Sequence, residues 1–537
     1  MSNIDPDIKV IHEEEAFSSQ QPKQTSIDRI SRKTPQQHLK SLLVLTTVGL
    51  VILWFKDLFE TPLRNQDSED LKLNRWIETQ TNISWNALLA NIGVNGTYPG
   101  VVIASPSKHE PDYFYTWTRD SALVMKEIVI RYEDGDHSLL ELIKSFVSVS
   151  KHIQDQSRLH STVGLGEPKY YVNGDVFMGP WGRPQRDGPA LRATTLIRFA
   201  NVYLERGGEE ASSYVREVLY DGKWESRSVI KADLEYIAST WSKTSFDLWE
   251  EVDGHHYYTF AVIQSALADG VKFSRQMDDP GAADWYQLQL SAITPRLDLF
   301  WDDQRDVIMA TQNWTYPYGK TSWLDVSTIL ASLHTENNDS PSKPSSSRIL
   351  ATHHALVESM RDLYPLNRLY ASRPAKAIGR YPEDVYDGVG KSEGNPWYLA
   401  TLACAEMLYR TIHDSYQLLK LDTSKSIHIG HEELAFWKQF DHHDDLHSGS
   451  EISITSHKMI RILSEAKLVA DDYVRIASHW ITNNGSMHEQ FDRYHGTPKG
   501  ARDLTWSYAS FLSMNRARKS VLALQTRDSL SFSCTHL

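Results

Sequence analysis

The chain has 537 residues, with 69 acidic against 56 basic side chains and a formal net charge of −13. That bias argues against a surface that neutralises phosphates, so nucleic acid is not an expected partner and a neutral substrate is. Hydrophobic residues at 41% and charged residues at 23% exclude a wholly disordered chain, and two cysteines, Cys404 and Cys534, exclude a disulfide framework.

Residues 1 to 40 are polar and without periodicity, the composition of a disordered tail. Between Lys40 and Lys56 runs the uncharged segment SLLVLTTVGLVILWF. As a helix it reaches about 22 Å, short of the roughly 30 Å hydrocarbon layer unless the flanking lysines snorkel. The polar lead before it is longer than the usual n-region of a cleaved leader, so residues 41 to 55 read as a signal-anchor, with a buried core helix as the alternative. Arg29, Arg32, Lys33 and Lys40 precede the segment, against Lys56 and Arg64 after it. The imbalance predicts a cytosolic N-terminus and a lumenal bulk, vacuolar or membrane-anchored, with secretion as the alternative. Sequons begin at Asn82, Asn95, Asn313, Asn338 and Asn484, and that route exposes them to glycosylation.

After a linker over 56 to 70, residues 71 to 520 alternate helix-like apolar patterns with long loops rich in Gly, Pro and aromatics, and a short tail follows over 521 to 537. Val124, Ile128 and Tyr132 recur at spacing four, and Leu402, Ala405, Tyr409 and Ile412 at three and four, which predicts helices. The segment ENNDSPSKPSSS, 336 to 347, reads as a surface insertion within one domain. Beyond residue 520 there is no room for an appended module of about 100 residues.

With 16 Trp and 25 Tyr the chain has the flat apolar faces on which sugar rings stack, although large cores use aromatics too. Hydrolysing a glycosidic bond needs one carboxylic acid to protonate the leaving oxygen and one carboxylate on the opposite face. Carboxylates held among aromatics and arginines occur in DYFYTWTRD (112 to 120), GPWGRPQRDGPALR (179 to 192), FDLWEEVDG (246 to 254), GRYPEDVY (379 to 386) and SMHEQFD (486 to 492). Glu250 and Glu251 adjoin Leu248 and Trp249, a setting that desolvates at least one acid and raises its pKa. Adjacent acids on a helix are more often a solvated surface pair, and it is the aromatic density of the other loops that favours a site.

Three weaker signals are set aside. GVGKS (388 to 392) has Val385 where a phosphate loop needs its first Gly, HEQFD has Asp492 where a zinc helix needs its second His, and DHHDDLH (441 to 447) reads as a solvated loop. No metal and no cofactor are expected.

The segments PDYFYTWTRDSALV, WGRPQRDGPALRAT, LWEEVDG, GRYPEDVY, NPWYLATLA and ARDLTWSYA resemble, in order and separation from about residue 85 to 520, the signature loops of the fungal glucoamylases, glycoside hydrolase family 15. The resemblance implies an all-α (α/α)6 barrel whose loops form a pocket for the non-reducing end of an α-glucan such as starch or glycogen. It also implies a monomer that inverts configuration and releases β-glucose. It makes Glu250 the general acid and Glu489 the general base, with Asp247 at an acidic position also credited with accepting a proton. It places Arg119, Asp120 and Arg380 on the terminal glucose and Trp181 over the sugar near the acid. Tyr113, Leu248, Trp249, Glu251, Asp384, Trp397 and Trp506 fall on further pocket positions.

Two departures stand out. Gly500 lies where many relatives have a Ser that bonds the base, which predicts a higher pKa for Glu489 and a less acidic optimum. Phe177 lies where relatives often have Tyr. A related exo-hydrolase of trehalose type and a catalytically silent glucan binder are the alternative readings, and the presence of both Glu250 and Glu489 disfavours the second.

Overall fold

Two kinds of helix alternate along the chain, and their apolar patterns show why. In the computed structural model, which describes residues 66–533 except 225–226, 316–318, 336–340 and 422–424, the main helices are α1 (Gln66–Ala90), α2 (Thr118–Glu133), α3 (Leu140–His160), α4 (Asp187–Arg206), α5 (Val229–Thr240) and α6 (Tyr257–Gln276). They continue as α7 (Pro280–Asp298), α8 (Ser327–His334), α9 (Ser347–Met360), α10 (Tyr398–Leu421), α11 (His457–Trp480) and α12 (Thr505–Ser533). The odd-numbered helices other than α5 bury one stripe; α7 hides only Ala282, Ala283, Tyr286, Ile293 and Leu297. The even-numbered helices are enclosed on nearly every face; in α2 every residue but Arg131 and Glu133 is buried. A stripe packs against one layer, whereas an all-round apolar helix must stand between two.

The even-numbered helices form the inner ring. Each packs on the next, and α12 packs back on α2, so the ring closes within the unit Leu71–Leu537. The odd-numbered helices surround it, giving the (α/α)6 barrel. Local signals fix the outer helix starts: Asp279 and Ser456 cap α7 and α11 by accepting from the amides of Ala282 and Met459, each worth about 0.5–2 kcal/mol.

Whereas the long segment after α10, with its strand pair Ser426–Ile429 and Ser450–Ser453, leads into the outer helix α11, the connections that run into the N-terminal ends of the inner helices gather at one end of the barrel. Short antiparallel pairs stiffen them: Thr116–Trp117 with Lys169–Tyr170, and Gln490–Phe491 with Pro498–Lys499.

Two helices cross positions at which the sequence suggested a change of texture. Helix α1 begins at Gln66, inside the segment expected as a linker over 56 to 70. Helix α12 runs on to Ser533, past the expected boundary at 520, because no Gly or Pro between 505 and 533 interrupts it. The described part of the insertion, 341 to 347, is no free surface loop. Ser342 is buried and bonded to the Tyr257 hydroxyl at 2.7 Å, Thr411 donates to the carbonyl of Pro344 at 3.2 Å, and Ser345 to Asp414 at 2.8 Å. Asn82, Asn95, Asn313 and Asn484 are exposed, and Cys404 is a free, buried thiol in α10. The polar tail, the apolar run 41 to 55, the linker up to residue 65, Asn338 and Cys534 lie outside the described residues. Among the described residues no helix is long and apolar enough to cross a membrane.

Candidate active site

The loops over the inner ring enclose a cavity of about 370 Å³, and both Glu250 and Glu489 line it. Each is delivered by a different piece of backbone. The segment 246 to 252 is a tight turn, not a helical surface. The amide of Glu250 donates to the carbonyl of Asp247 at 2.9 Å, and the Asp247 carboxylate accepts from the amides of Glu251 at 2.7 Å and Val252 at 3.1 Å. Glu250 is held at φ 69°, a left-handed conformation costing a non-glycine residue about 1–3 kcal/mol, which the surrounding bonds must offset.

The hydrogen bonds to Glu250 fall on Oε1: the Trp117 indole donates at 2.8 Å, the Gln185 amide at 2.9 Å, and an Arg119 nitrogen stands at 3.7 Å. Burial raises the pKa of this carboxyl while Arg119, Gln185 and the indoles oppose it. Glu489 has a drier setting. It is 1% exposed, its amide is bound to the carbonyl of Ala501 at 2.9 Å, and its Oε2 accepts from the Tyr386 hydroxyl at 3.3 Å, itself 3.0 Å from the Tyr113 hydroxyl. Burial pushes its pKa up to about 8 against the opposing pull of the two phenols and Arg380. Gly500 packs on this carboxyl at φ 67°, and a Cβ there would collide with Oε2.

A second group of residues is poised for a polar ligand. Arg119, at the start of α2, donates to Gln185 at 2.8 Å and Asp187 at 3.1 Å. Its Nε faces Asp120 Oδ2 at 3.4 Å, an ion pair without a hydrogen bond, and Trp181 Nε1 and Trp397 Nε1 are buried without hydrogen-bond partners. Orphaned polar atoms around one cavity fit a ligand rich in hydroxyls. Burial raises Asp120 to about 6 although Arg119 opposes it. Arg380 donates to Asp384 Oδ2 at 2.8 Å and Oδ1 at 2.6 Å, and to Glu251 Oε1 at 2.9 Å. Tyr381 holds the other oxygen of Glu251 at 2.6 Å. Trp249, Trp397 and Trp506 form an aromatic wall, with ring centroids 5.5 and 6.4 Å apart along it. Trp181, Leu248 and Tyr113 complete the lining among the residues singled out by sequence.

Two of the expected residues stand behind the lining. Asp384 orients Arg380. Asp247 is 3% exposed and bonded to Lys320 at 2.8 Å. Burial works against its charge, yet Lys320 and His256 hold it down at about 2, so here it anchors the turn that carries Glu250. Lys320 also bonds Asp325 at 2.8 Å, which accepts from the Trp249 indole at 2.9 Å. Sequence reasoning missed Trp117, Gln185, Tyr386, Lys320 and Asp325. The first three lay inside quoted motifs, and the last two carried no local signal.

The family model for glycosyl hydrolases family 15 matches residues 82–516. The chain is 40% identical over 458 residues to a glucoamylase of Blastobotrys adeninivorans, covering 83% of this chain and 71% of that one. It is 37% identical to a probable glucoamylase of Schizosaccharomyces pombe, covering 85% and 94%. Among solved structures it is similar to the family 15 glucoamylase from Hypocrea jecorina, with TM-score 0.74, 34% identity, and coverage of 84% and 73%. It is also similar to the glucoamylase from Saccharomycopsis fibuligera, with TM-score 0.73, 30% identity, and coverage of 84% and 96%.

Proposed function

This chain belongs to glycosyl hydrolases family 15 as a hydrolase of the glucoamylase type, and from that premise we propose that it removes single glucose units from the non-reducing ends of starch-like or glycogen-like chains with inversion. The observation that carries this reading is the pair Glu250 and Glu489 on one cavity, closed beneath by the packed inner ring. Such a pocket admits a chain end and excludes a chain middle.

In the reaction Glu250 gives its proton to the glycosidic oxygen as the bond to the anomeric carbon breaks. A water on the Glu489 side attacks that carbon and gives a proton to Glu489, and the new hydroxyl is β. Trp117 and Gln185 hold Oε1 of Glu250 and leave Oε2 for the leaving oxygen. Arg119, Asp120 and Arg380 bind the hydroxyls of the terminal ring, with Glu251 and Asp384 orienting Arg380. The Trp249, Trp397 and Trp506 faces stack on the sugar and exclude water. Hydrolysis of α-1,6 bonds is slower, because the departing glucose then hangs from its C6 methylene and its ring meets the pocket rim in a different position from that of a 1,4-linked unit. No metal or cofactor takes part.

NMR of glucose released from maltotriose tests the reading: β-glucose appears first. First appearance of the α anomer, or attack on chain interiors, defeats it.

The apolar run 41 to 55 and the basic excess before it support a type II anchor that places the barrel, a monomer, in the lumen of the secretory pathway, at a vacuole or a membrane surface. The four exposed sequons suit that side. A protease-protection assay on isolated membranes that finds the barrel digested without detergent excludes it.

A further inference from the structure

Lys169 lies outside the cavity lining, yet it is one of the least conventional charges in the molecule. It is 3% exposed, and among the described residues no carboxylate stands within ion-pair distance of its ammonium. Instead Nζ lies over four rings, 3.6 Å from the centroid of Trp181, 4.0 Å from Tyr115, 4.3 Å from Phe177 and 4.7 Å from Trp117. The strand pairing produces this arrangement by setting Lys169 directly across from Trp117. A methionine would fill the same apolar space without desolvating a charge, so stability does not account for the lysine.

Two of the rings, Trp117 and Trp181, line the substrate cavity, and Trp117 bonds Glu250. We propose that Lys169 is a positioning residue that clamps the aromatic wall behind Glu250 and, through its charge, sets the alkaline limit of hydrolysis. The proposal rests on the reading of Glu250 as the general acid. The charged groups around the pair are Asp112 and Glu250 facing the ammonium, Glu167 with its partner Arg183 two residues away, and Arg119 with Asp120 and Asp187 on the far side of Glu250. Burial lowers Lys169 to about 8, with Glu250 and Asp112 opposing, so it is charged at neutral and acidic pH. Its positive charge favours ionised Glu250. Cation–π attraction holds the rings around one centre and fixes the indole that aims Oε1.

The test compares K169M and K169R with the parent, using maltotriose and full pH profiles of kcat and KM. In K169M the thermal midpoint holds or rises, kcat falls about tenfold with KM changed less than about threefold, and the alkaline limb moves up by about half a pH unit. K169R keeps the charge and leaves that limb where it was. A K169M enzyme with parental kcat and limb overturns the proposal, as does a fall in kcat with an unmoved limb. Should K169M fail to fold, a displaced limb in K169R overturns it alone. E250Q separates the two readings: if it still hydrolyses maltotriose the acid assignment falls, whereas an inactive E250Q beside a parental K169M removes only the role of Lys169.

Discussion

The turn carrying Glu250 and the bend carrying Glu489 hold the same side chain by different means. Glu250 stands on a left-handed turn beside a guanidinium, with indole and amide donors on one oxygen. Glu489 stands at a bend just before the strand Gln490–Phe491, with phenols and glycine backbone for company, and burial pushes it up to about 8. Hydrolysis needs Glu250 protonated and Glu489 ionised, so the two settings must hold the proton differently although burial raises both carboxyls. Rate then follows the form with Glu250 protonated and Glu489 ionised, and the profile is bell-shaped, failing in acid as Glu489 takes up a proton and in alkali as Glu250 loses one.

The comparison breaks most completely if the two carboxyls are removed in turn. E250Q and E489Q each lose about a thousandfold or more in kcat on maltose. On a glucosyl fluoride, whose leaving group needs no proton, E250Q recovers most of its rate and E489Q does not; equal behaviour abolishes the distinction between acid and base. Next in size is R380K, which breaks the fork onto Asp384 and loosens Glu251; kcat/KM falls about a hundredfold while the fold persists. K320M strands two buried carboxylates and costs about 3–5 kcal/mol, read as a lower thermal midpoint together with lower kcat, because the Glu250 turn loses its anchor. Smallest is Y386F. It removes a donor from Glu489, so ionisation becomes harder and the acidic limb moves up by about half a unit.

The same comparison sharpens what Gly500 does. A serine there was expected to restore a hydrogen bond to the base. At φ 67°, with the carboxyl against it, G500S instead displaces Glu489, and activity falls at every pH before any limb can shift back.

The helices were legible because apolar spacing reports how many sides of an element are covered, as in α2 and α10. The lining residues were legible only through the loops' resemblance to a known family, since nothing in the spacing of Arg119 and Arg380 brings them to one cavity. What stayed hidden is whatever acts through separation. Lys320 meets Asp247 from 73 residues away, and Lys169 meets four rings only after its strand has paired. The pair Glu250 and Glu251 shows the limit at short range: side by side in sequence, they diverge because a turn aims one at the cavity and the other at Arg380.

Closure of the inner ring by α12 on α2 reaches beyond geometry. Arg119 rests over the Trp506 ring at 5.9 Å, and Thr505 donates to the carbonyl of Ala104 at 2.9 Å. On the ribosome the first of these partners is made long before the second, so no nascent chain has a finished pocket until almost all of the barrel has been translated. Fragments released early are inert towards glucan, and the enzyme switches on only at the close of its own synthesis.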